Sequence, residues 1–172
     1  MGVNNIGMIL TLILCLLSAC SHYIQTMNQD KLVFCTFNSR GHANDRVEYI
    51  KHLMCKCDIL LLQEHWCFEA NLPLLEAKIE NVNIIGISGM DEDKIQSGRP
   101  YGGCAFVYKK NMKCSIEPIV TKSKRLCACI LRIADGVSIM TFNVYMPCDT
   151  YHDQRNLTEY NEVNRDMVRF MS

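Results

Sequence analysis

The chain has 172 residues, of which 49% are hydrophobic and 21% are charged. This composition excludes intrinsic disorder and is sufficient for one domain with a hydrophobic core. Its 18 basic and 18 acidic side chains balance, so net charge gives no sign of a nucleic-acid-binding surface. The eleven cysteines include no CxxC pair, which argues against a zinc site and favours buried free thiols in a reducing compartment.

The first predicted segment is the apolar run over 6–20. It is short for a membrane span and has the length of a signal-peptide core. The five residues before it, MGVNN, include no lysine or arginine, which such signals normally carry. Two interpretations stay open: a secretion signal or membrane anchor, with Cys20 as the residue that would be lipidated, or a non-structural extension. In either case 1–27 precedes a domain over 28–172.

Strand and helix patterns alternate from residue 31 to residue 88. A helix is predicted over 44–57, because Val47, Ile50 and Leu53 share one helical face. The continuous apolar run over 58–63 predicts a strand buried on both sides. Further strands are predicted over 31–37 and 82–88, and a short helix over 69–80, beginning near Pro73.

The second half of the chain favours a meander of strands. A polar, glycine-rich loop over 89–103 comes first. The next strands are predicted over 104–110, 114–120, 126–133 and 137–146, with a hairpin turn at 134–136. A last helix over 156–171 begins with a capping box of Asn156 and Glu159. The chain is therefore predicted to be an α/β protein with a mixed sheet.

Polar side chains follow three of the predicted strands at the point where each ends. They are Asn38, Glu64 and Tyr145. Taken singly, an asparagine here favours a turn and a glutamate a solvated surface. If the strands are parallel neighbours, however, the three side chains converge at one edge of the sheet. A carboxylate among amide and hydroxyl groups suits Mg²⁺, and a phenol can stabilise a phosphoryl oxygen. The pattern thus indicates metal-assisted attack on a phosphate ester.

The order of these motifs resembles that of a known superfamily. FNSRG, DILLLQEHW, GRPYGGCAFVYKK and MTFNVYMPCD follow one another between residues 31 and 171. This order resembles the endonuclease/exonuclease/phosphatase superfamily, and most of all the endonuclease domain of non-long-terminal-repeat retrotransposons. The resemblance implies a four-layer α/β sandwich, in which two β-sheets pack face to face with helices outside. It also implies Mg²⁺ as cofactor and DNA as substrate.

The resemblance assigns roles to individual residues. Asn38 matches the asparagine that orients the metal-binding carboxylate and the phosphate, so it is expected at both the catalytic and the metal site. Glu64 matches the carboxylate that binds Mg²⁺, and Tyr145 matches the tyrosine that contacts the scissile phosphate. Arg40 is expected to touch the nucleic-acid backbone.

Four further positions bear on the match. Gly102 and Gly103 match small residues that open a core strand, which is a packing role. Cys148 stands where relatives usually carry asparagine, and a thiol is a poor replacement for an amide donor. Asp149 is the residue expected to compensate in substrate binding.

The resemblance covers only the N-terminal half of the superfamily's domain. The GDxN and SDH motifs of its second half do not occur in the sequence, and His42, His65 and His152 are expected to be surface or supporting residues. The expectation is a truncated domain whose sheet exposes an apolar face, inactive or nearly so alone, with a missing C-terminal half as partner. Two alternatives remain: a secreted or lipid-anchored phosphodiesterase or phosphatase of the same superfamily, and a non-catalytic relic.

Overall fold

The computed structural model describes residues 31–91, 98, 100–133, 136–147 and 154–171. These residues form seven strands and three α-helices: β1 (Phe34–Asn38), α1 (Asn44–Met54), β2 (Ile59–Gln63), α2 (Leu72–Glu76), β3 (Val82–Ile87), β4 (Cys104–Lys109), β5 (Ser115–Ile119), β6 (Leu126–Arg132), β7 (Ser138–Val144) and α3 (Gln154–Met171). A 3₁₀ turn at Glu69–Asn71 precedes α2. Among the described helices, none is long and apolar enough to cross a membrane. The segment 6–20 lies outside the described residues.

The strands form two sheets. The first has the order β1-β2-β4-β3, with β1 parallel to β2 and the other pairs antiparallel. All five residues of β2 are buried, as its unbroken apolar run predicts. The second sheet, β5-β6-β7, is antiparallel throughout. The mixed sheet expected from the sequence is thus present, and part of the predicted meander forms a separate sheet.

The two sheets pack face to face around an apolar core. Ile59, Leu61 and Phe106 project from the first sheet against Cys129 and Leu131 from the second. The expectation of an apolar sheet face without a cover is therefore wrong for the described residues. The reason is that β6 and β7 carry alternating apolar side chains and fold back over β2 and β4.

Helices cover the outer faces of both sheets. On the first sheet, Ile50 of α1 and Leu75 of α2 belong to one buried cluster with Leu60 and Leu62. On the second sheet, α3 buries Val163 and Met167 in a third cluster. The layer order is helix, sheet, sheet, helix, which confirms the predicted α/β sandwich.

The start of α3 differs from the prediction. The helix already includes Gln154, so Asn156 lies within it, and the predicted capping box is wrong. The Glu159 carboxylate instead pairs with the Arg125 guanidinium. Further along, the buried Asp166 accepts hydrogen bonds from the backbone N–H groups of Lys122 and Ser123, at 2.6 and 2.9 Å. The basic run over 122–125 is thus held against the helix.

Most cysteines in the described residues are buried free thiols, as predicted. Burial raises the pKa of Cys67 to about 11 and that of Cys127 to about 12, so both thiols stay protonated at neutral pH. The pair at 55 and 57 is different, because Cys55 is exposed and only Cys57 is buried. Both follow the end of α1 and precede β2, so the two-residue alternation of a strand does not apply to them.

The inter-sheet core predicts a large effect of truncating Phe106. Its side chain is fully buried between the sheets, so Phe106→Ala should lower the free energy of unfolding by about 3–5 kcal/mol. Urea denaturation followed by circular dichroism measures this change. Val120→Ala is the control, since Val120 is 88% exposed, and it should change stability by less than about 0.5 kcal/mol. Equal effects of the two variants would contradict the sandwich.

Candidate active site

Asn38 and Glu64 meet where β1 and β2 leave the first sheet. The two strands are parallel, and Asn38 pairs in register with Gln63. Asn38 Nδ2 donates a hydrogen bond of 3.0 Å to Glu64 Oε1. Its own Oδ1 accepts one of 3.2 Å from the Arg40 backbone N–H. Both the nitrogen and the oxygen of the Asn38 side-chain amide are therefore hydrogen-bonded, and Asn38 orients the half-buried carboxylate of Glu64.

The backbone around this contact adopts left-handed conformations. Arg40, Glu64 and Trp66 have φ angles of 49°, 53° and 57°, which cost non-glycine residues about 1–3 kcal/mol each. Hydrogen bonds hold the chain there: the Glu64 N–H donates to the Gly103 carbonyl at 2.8 Å, and the Glu64 carbonyl accepts from Gly41 N–H at 2.7 Å. These conformations direct the Glu64 side chain out of the sheet.

His65 lies fully buried beside the candidate site, which agrees with the supporting role and not with the surface position that the sequence leaves open. Its Nε2 lies 3.1 Å from the Ile87 carbonyl, and its Nδ1 accepts from Cys67 N–H at 3.0 Å. Burial lowers the pKa of His65 to about 4, so the imidazole is neutral at pH 7. Gly103 packs on the ring, where an added Cβ would lie 2.5 Å from ring atoms. His65 thus supports the loop that carries Glu64.

Tyr145 reaches the same end of the molecule from the second sheet. It follows β7, which lies in the second sheet, so the condition that all three strands are parallel neighbours is not met. Near the end of β7, Asn143 Oδ1 accepts a hydrogen bond of 2.6 Å from Gln63 Nε2. The Tyr145 ring packs at the border of the inter-sheet core. The strand ends that bear Asn38, Glu64 and Tyr145 are therefore brought together across two sheets.

Three residues next to these strand ends were not singled out from the sequence. Gln63 and Asn143 form the buried bridge between the sheets, and Arg125 lies over the Tyr145 ring at 5.4 Å from its centroid. The Arg125 carbonyl also accepts a hydrogen bond of 2.9 Å from Tyr145 N–H. A signal was available for Gln63, which is an amide at the end of an otherwise apolar strand. Asn143 shares its strand with Ser138 and Thr141 and does not stand out in this way.

The donors at this site suit Mg²⁺ better than a transition metal. Oε1 of Glu64 is held by Asn38, and within the described residues Oε2 has no hydrogen-bond partner. The same residues contain no group of three His, Cys, Asp or Glu side chains that could hold a metal. Mg²⁺ is often bound through one or two carboxylates while keeping several waters. Glu64 is thus the carboxylate at this site that could contact such an ion, next to the amide oxygen of Asn38, which accepts one hydrogen bond from the Arg40 backbone N–H.

The remaining predicted residues border this cluster or lie outside the described chain. Arg40 is exposed, two residues beyond Asn38. Asp149 and Cys148 fall outside the described residues, so their roles stay predictions. Gly102 and Gly103 are buried at the start of β4, with φ angles of 67° and 89°.

Comparison with solved structures identifies the fold. The chain superposes with a TM-score of 0.54 on the AP endonuclease LMAP from Leishmania major, at 16% identity over 78% of this chain and 46% of that one. It superposes equally well on the catalytic domain of APE2 from Xenopus laevis, at 14% identity over 77% and 52%. The chain spans about half the length of each structure.

No protein-family profile and no curated protein matches the sequence. At these identities the structural likeness concerns the fold alone. The chain therefore has the fold of AP endonucleases, which confirms the α/β architecture that the resemblance implied.

The contact between Gly103 and His65 predicts that Gly103→Ala is strongly destabilising. The new Cβ would collide with the imidazole, in a backbone conformation that already disfavours side chains. We expect the free energy of unfolding to fall by about 2–4 kcal/mol. Gly136→Ala is the matched control, because Gly136 has φ of 78° but nothing near its added Cβ. Similar losses in urea denaturation would show that only the backbone conformation matters.

The buried neutral His65 predicts a dependence of stability on pH. Its pKa in the folded chain, about 4, lies below the ordinary value of 6.5, so the unfolded chain binds more protons between these pH values. Stability should fall by roughly 3 kcal/mol as pH drops from 7 to 4, in addition to the contributions of other groups. Urea denaturation across this range measures the loss. His65→Gln should flatten the curve, and an unchanged slope would assign the dependence elsewhere.

Proposed function

We propose that this chain carries the metal-binding part of a Mg²⁺-dependent phosphodiesterase site of the retrotransposon endonuclease type, with DNA as substrate. The observation that carries the proposal is the Asn38–Glu64 hydrogen bond of 3.0 Å at the common edge of β1 and β2. It fixes one carboxylate oxygen and leaves the other for a cation. The fold of AP endonucleases and the order of the sequence motifs support the same chemistry.

Each residue has a distinct part in this proposal. Glu64 holds Mg²⁺, and Asn38 keeps the Glu64 carboxylate oriented. Bound Mg²⁺ would supply Lewis-acid stabilisation of the negative charge that develops on a phosphate ester. Tyr145 donates a hydrogen bond to a phosphoryl oxygen. Arg40, which is exposed, contacts the nucleic acid together with Asp149.

The chain by itself is proposed to turn over DNA slowly or not at all. Its sequence lacks the GDxN and SDH motifs, whose aspartate and histidine activate water and stabilise the phosphate in the superfamily it resembles. Each such group contributes about 10²–10⁴-fold to the rate. A missing C-terminal half would supply them. Metal binding, rather than turnover, is therefore the property that tests the site.

Isothermal titration with Mg²⁺ tests the proposal directly. The unmodified chain should bind one ion, and Glu64→Gln should weaken binding at least tenfold, since it removes the charged ligand that the described residues supply. Glu48→Gln is the matched control, because Glu48 is an exposed carboxylate on α1 paired with Lys51. Circular dichroism establishes that each variant is folded.

Two results would contradict the metal site. One is the absence of Mg²⁺ binding by the folded chain, which would favour a non-catalytic relic. The other is equal weakening by Glu64→Gln and Glu48→Gln, which would indicate diffuse attraction of the cation. Nicking of supercoiled plasmid DNA gives a second readout, and rapid Mg²⁺-dependent nicking by the chain alone would contradict its proposed low activity.

A further inference from the structure

A buried pair of amides links the two sheets beside the candidate site. Gln63 Nε2 donates to Asn143 Oδ1 at 2.6 Å, and Asn143 Nδ2 donates to the carbonyls of Leu62 and Ala105 at 3.0 and 2.8 Å. Gln63 is 2% exposed and Asn143 is completely buried. Gln63 also contacts Thr36 on β1 at 3.1 Å. The pair thus joins β7 to three strands of the first sheet.

The position of this pair in the chain relates it to both sides of the candidate site. Gln63 is the residue before Glu64, and Asn143 lies two residues before Tyr145. Since side chains alternate along a strand, Asn143 and Tyr145 project from the same face of the chain, and Tyr145 indeed borders the inter-sheet core. A shift of β7 against β2 would therefore move Tyr145 relative to Glu64.

The neighbouring inter-sheet contacts are poorly suited to preventing such a shift. They are made by apolar and cysteine side chains, including Leu61, Phe106 and Cys127. Apolar contacts are non-directional, whereas a buried amide with three short hydrogen bonds is satisfied in one arrangement only. Sliding β7 would leave buried hydrogen-bond donors and carbonyl acceptors unpaired, and each unpaired group would raise the free energy of the folded chain.

We infer that Gln63 and Asn143 are positioning residues, which set the place of Tyr145 relative to Glu64 and so determine how tightly a metal-bound phosphodiester is held. This inference rests on the proposed function. It predicts different effects on the binding of Mg²⁺ and on the binding of a phosphodiester, which a purely structural role does not. Mg²⁺ alone contacts the first sheet through Glu64 and does not sense the pair, whereas a phosphodiester must reach Glu64-bound metal and Tyr145 at once.

The test compares two binding constants in the same variants. Asn143→Leu replaces the amide by an apolar side chain with the same number of heavy atoms, and Gln63→Met removes the other partner more mildly. Isothermal titration measures binding of Mg²⁺, and then of a thymidine dinucleotide at saturating Mg²⁺. We expect Mg²⁺ affinity to stay within about twofold and dinucleotide affinity to fall about tenfold in Asn143→Leu, since one hydrogen bond to a charged group is worth that much.

The control separates positioning from general destabilisation. Leu131→Ala removes a buried side chain from the same inter-sheet core, at the end of β6 opposite to the site. It should lower the unfolding midpoint in urea while leaving both affinities unchanged. If Asn143→Leu does not fold, Gln63→Met carries the comparison, with an expected loss of about threefold in dinucleotide affinity, because Asn143 keeps its two bonds to backbone carbonyls.

The outcomes distinguish this inference from the proposed function. Absence of Mg²⁺ binding in the unmodified chain overturns both. Normal Mg²⁺ and dinucleotide binding in a folded Asn143→Leu or Gln63→Met variant overturns the positioning role alone. Parallel loss of Mg²⁺ and dinucleotide affinity in these variants, matched by Leu131→Ala, also overturns it, because the pair would then act only through overall stability.

Discussion

The parallel, in-register pairing of β1 with β2 is the constraint on which the candidate site depends. Both strands leave the sheet at the same edge, and the pairing of Asn38 with Gln63 sets the Asn38 amide beside the carboxylate of the next residue, Glu64. A shift of one residue would turn the Asn38 side chain to the other face of the sheet. The buried apolar residues of β2 hold this register, because any shift would expose some of them or leave Gln63 without its hydrogen-bond partners.

Strain at the site is sustained by the packing beneath it. Arg40, Glu64 and Trp66 adopt left-handed backbone conformations, and such strain persists only where the surrounding structure determines it. Here the determinants are the hydrogen bond from the Gly41 N–H to the Glu64 carbonyl, the one from the Glu64 N–H to the Gly103 carbonyl, and the buried ring of His65. The sandwich core thus stabilises a local geometry that the isolated loop would not adopt.

The sequence predicts local structure well and the assembly of the sheets poorly. Burial requires the apolar run of β2 and the helical spacing of apolar residues in α1, so both elements can be predicted from the sequence. Their predicted first and last residues agree with the structure to within three residues. The insertion of β4 between β2 and β3, and the transfer of β7 to a second sheet, depend on contacts between distant residues. Local rules fail where such contacts compete: Glu159 was expected to cap α3, yet it pairs with Arg125. The supporting role expected of His65 agrees with the structure, whereas its packing against the distant Gly103 could not be predicted from local sequence.

The electrostatics of the site explain why one carboxylate suffices for the proposed metal. Its supporting groups, the amide of Asn38 and the imidazole of His65, are neutral, because burial lowers the pKa of His65 to about 4. Within the described residues no lysine or arginine forms an ion pair with Glu64, and Arg125 is taken up by Glu159. The negative charge of Glu64 is therefore oriented but not neutralised. A half-buried carboxylate in this state attracts a divalent cation more strongly than one already paired with a basic side chain.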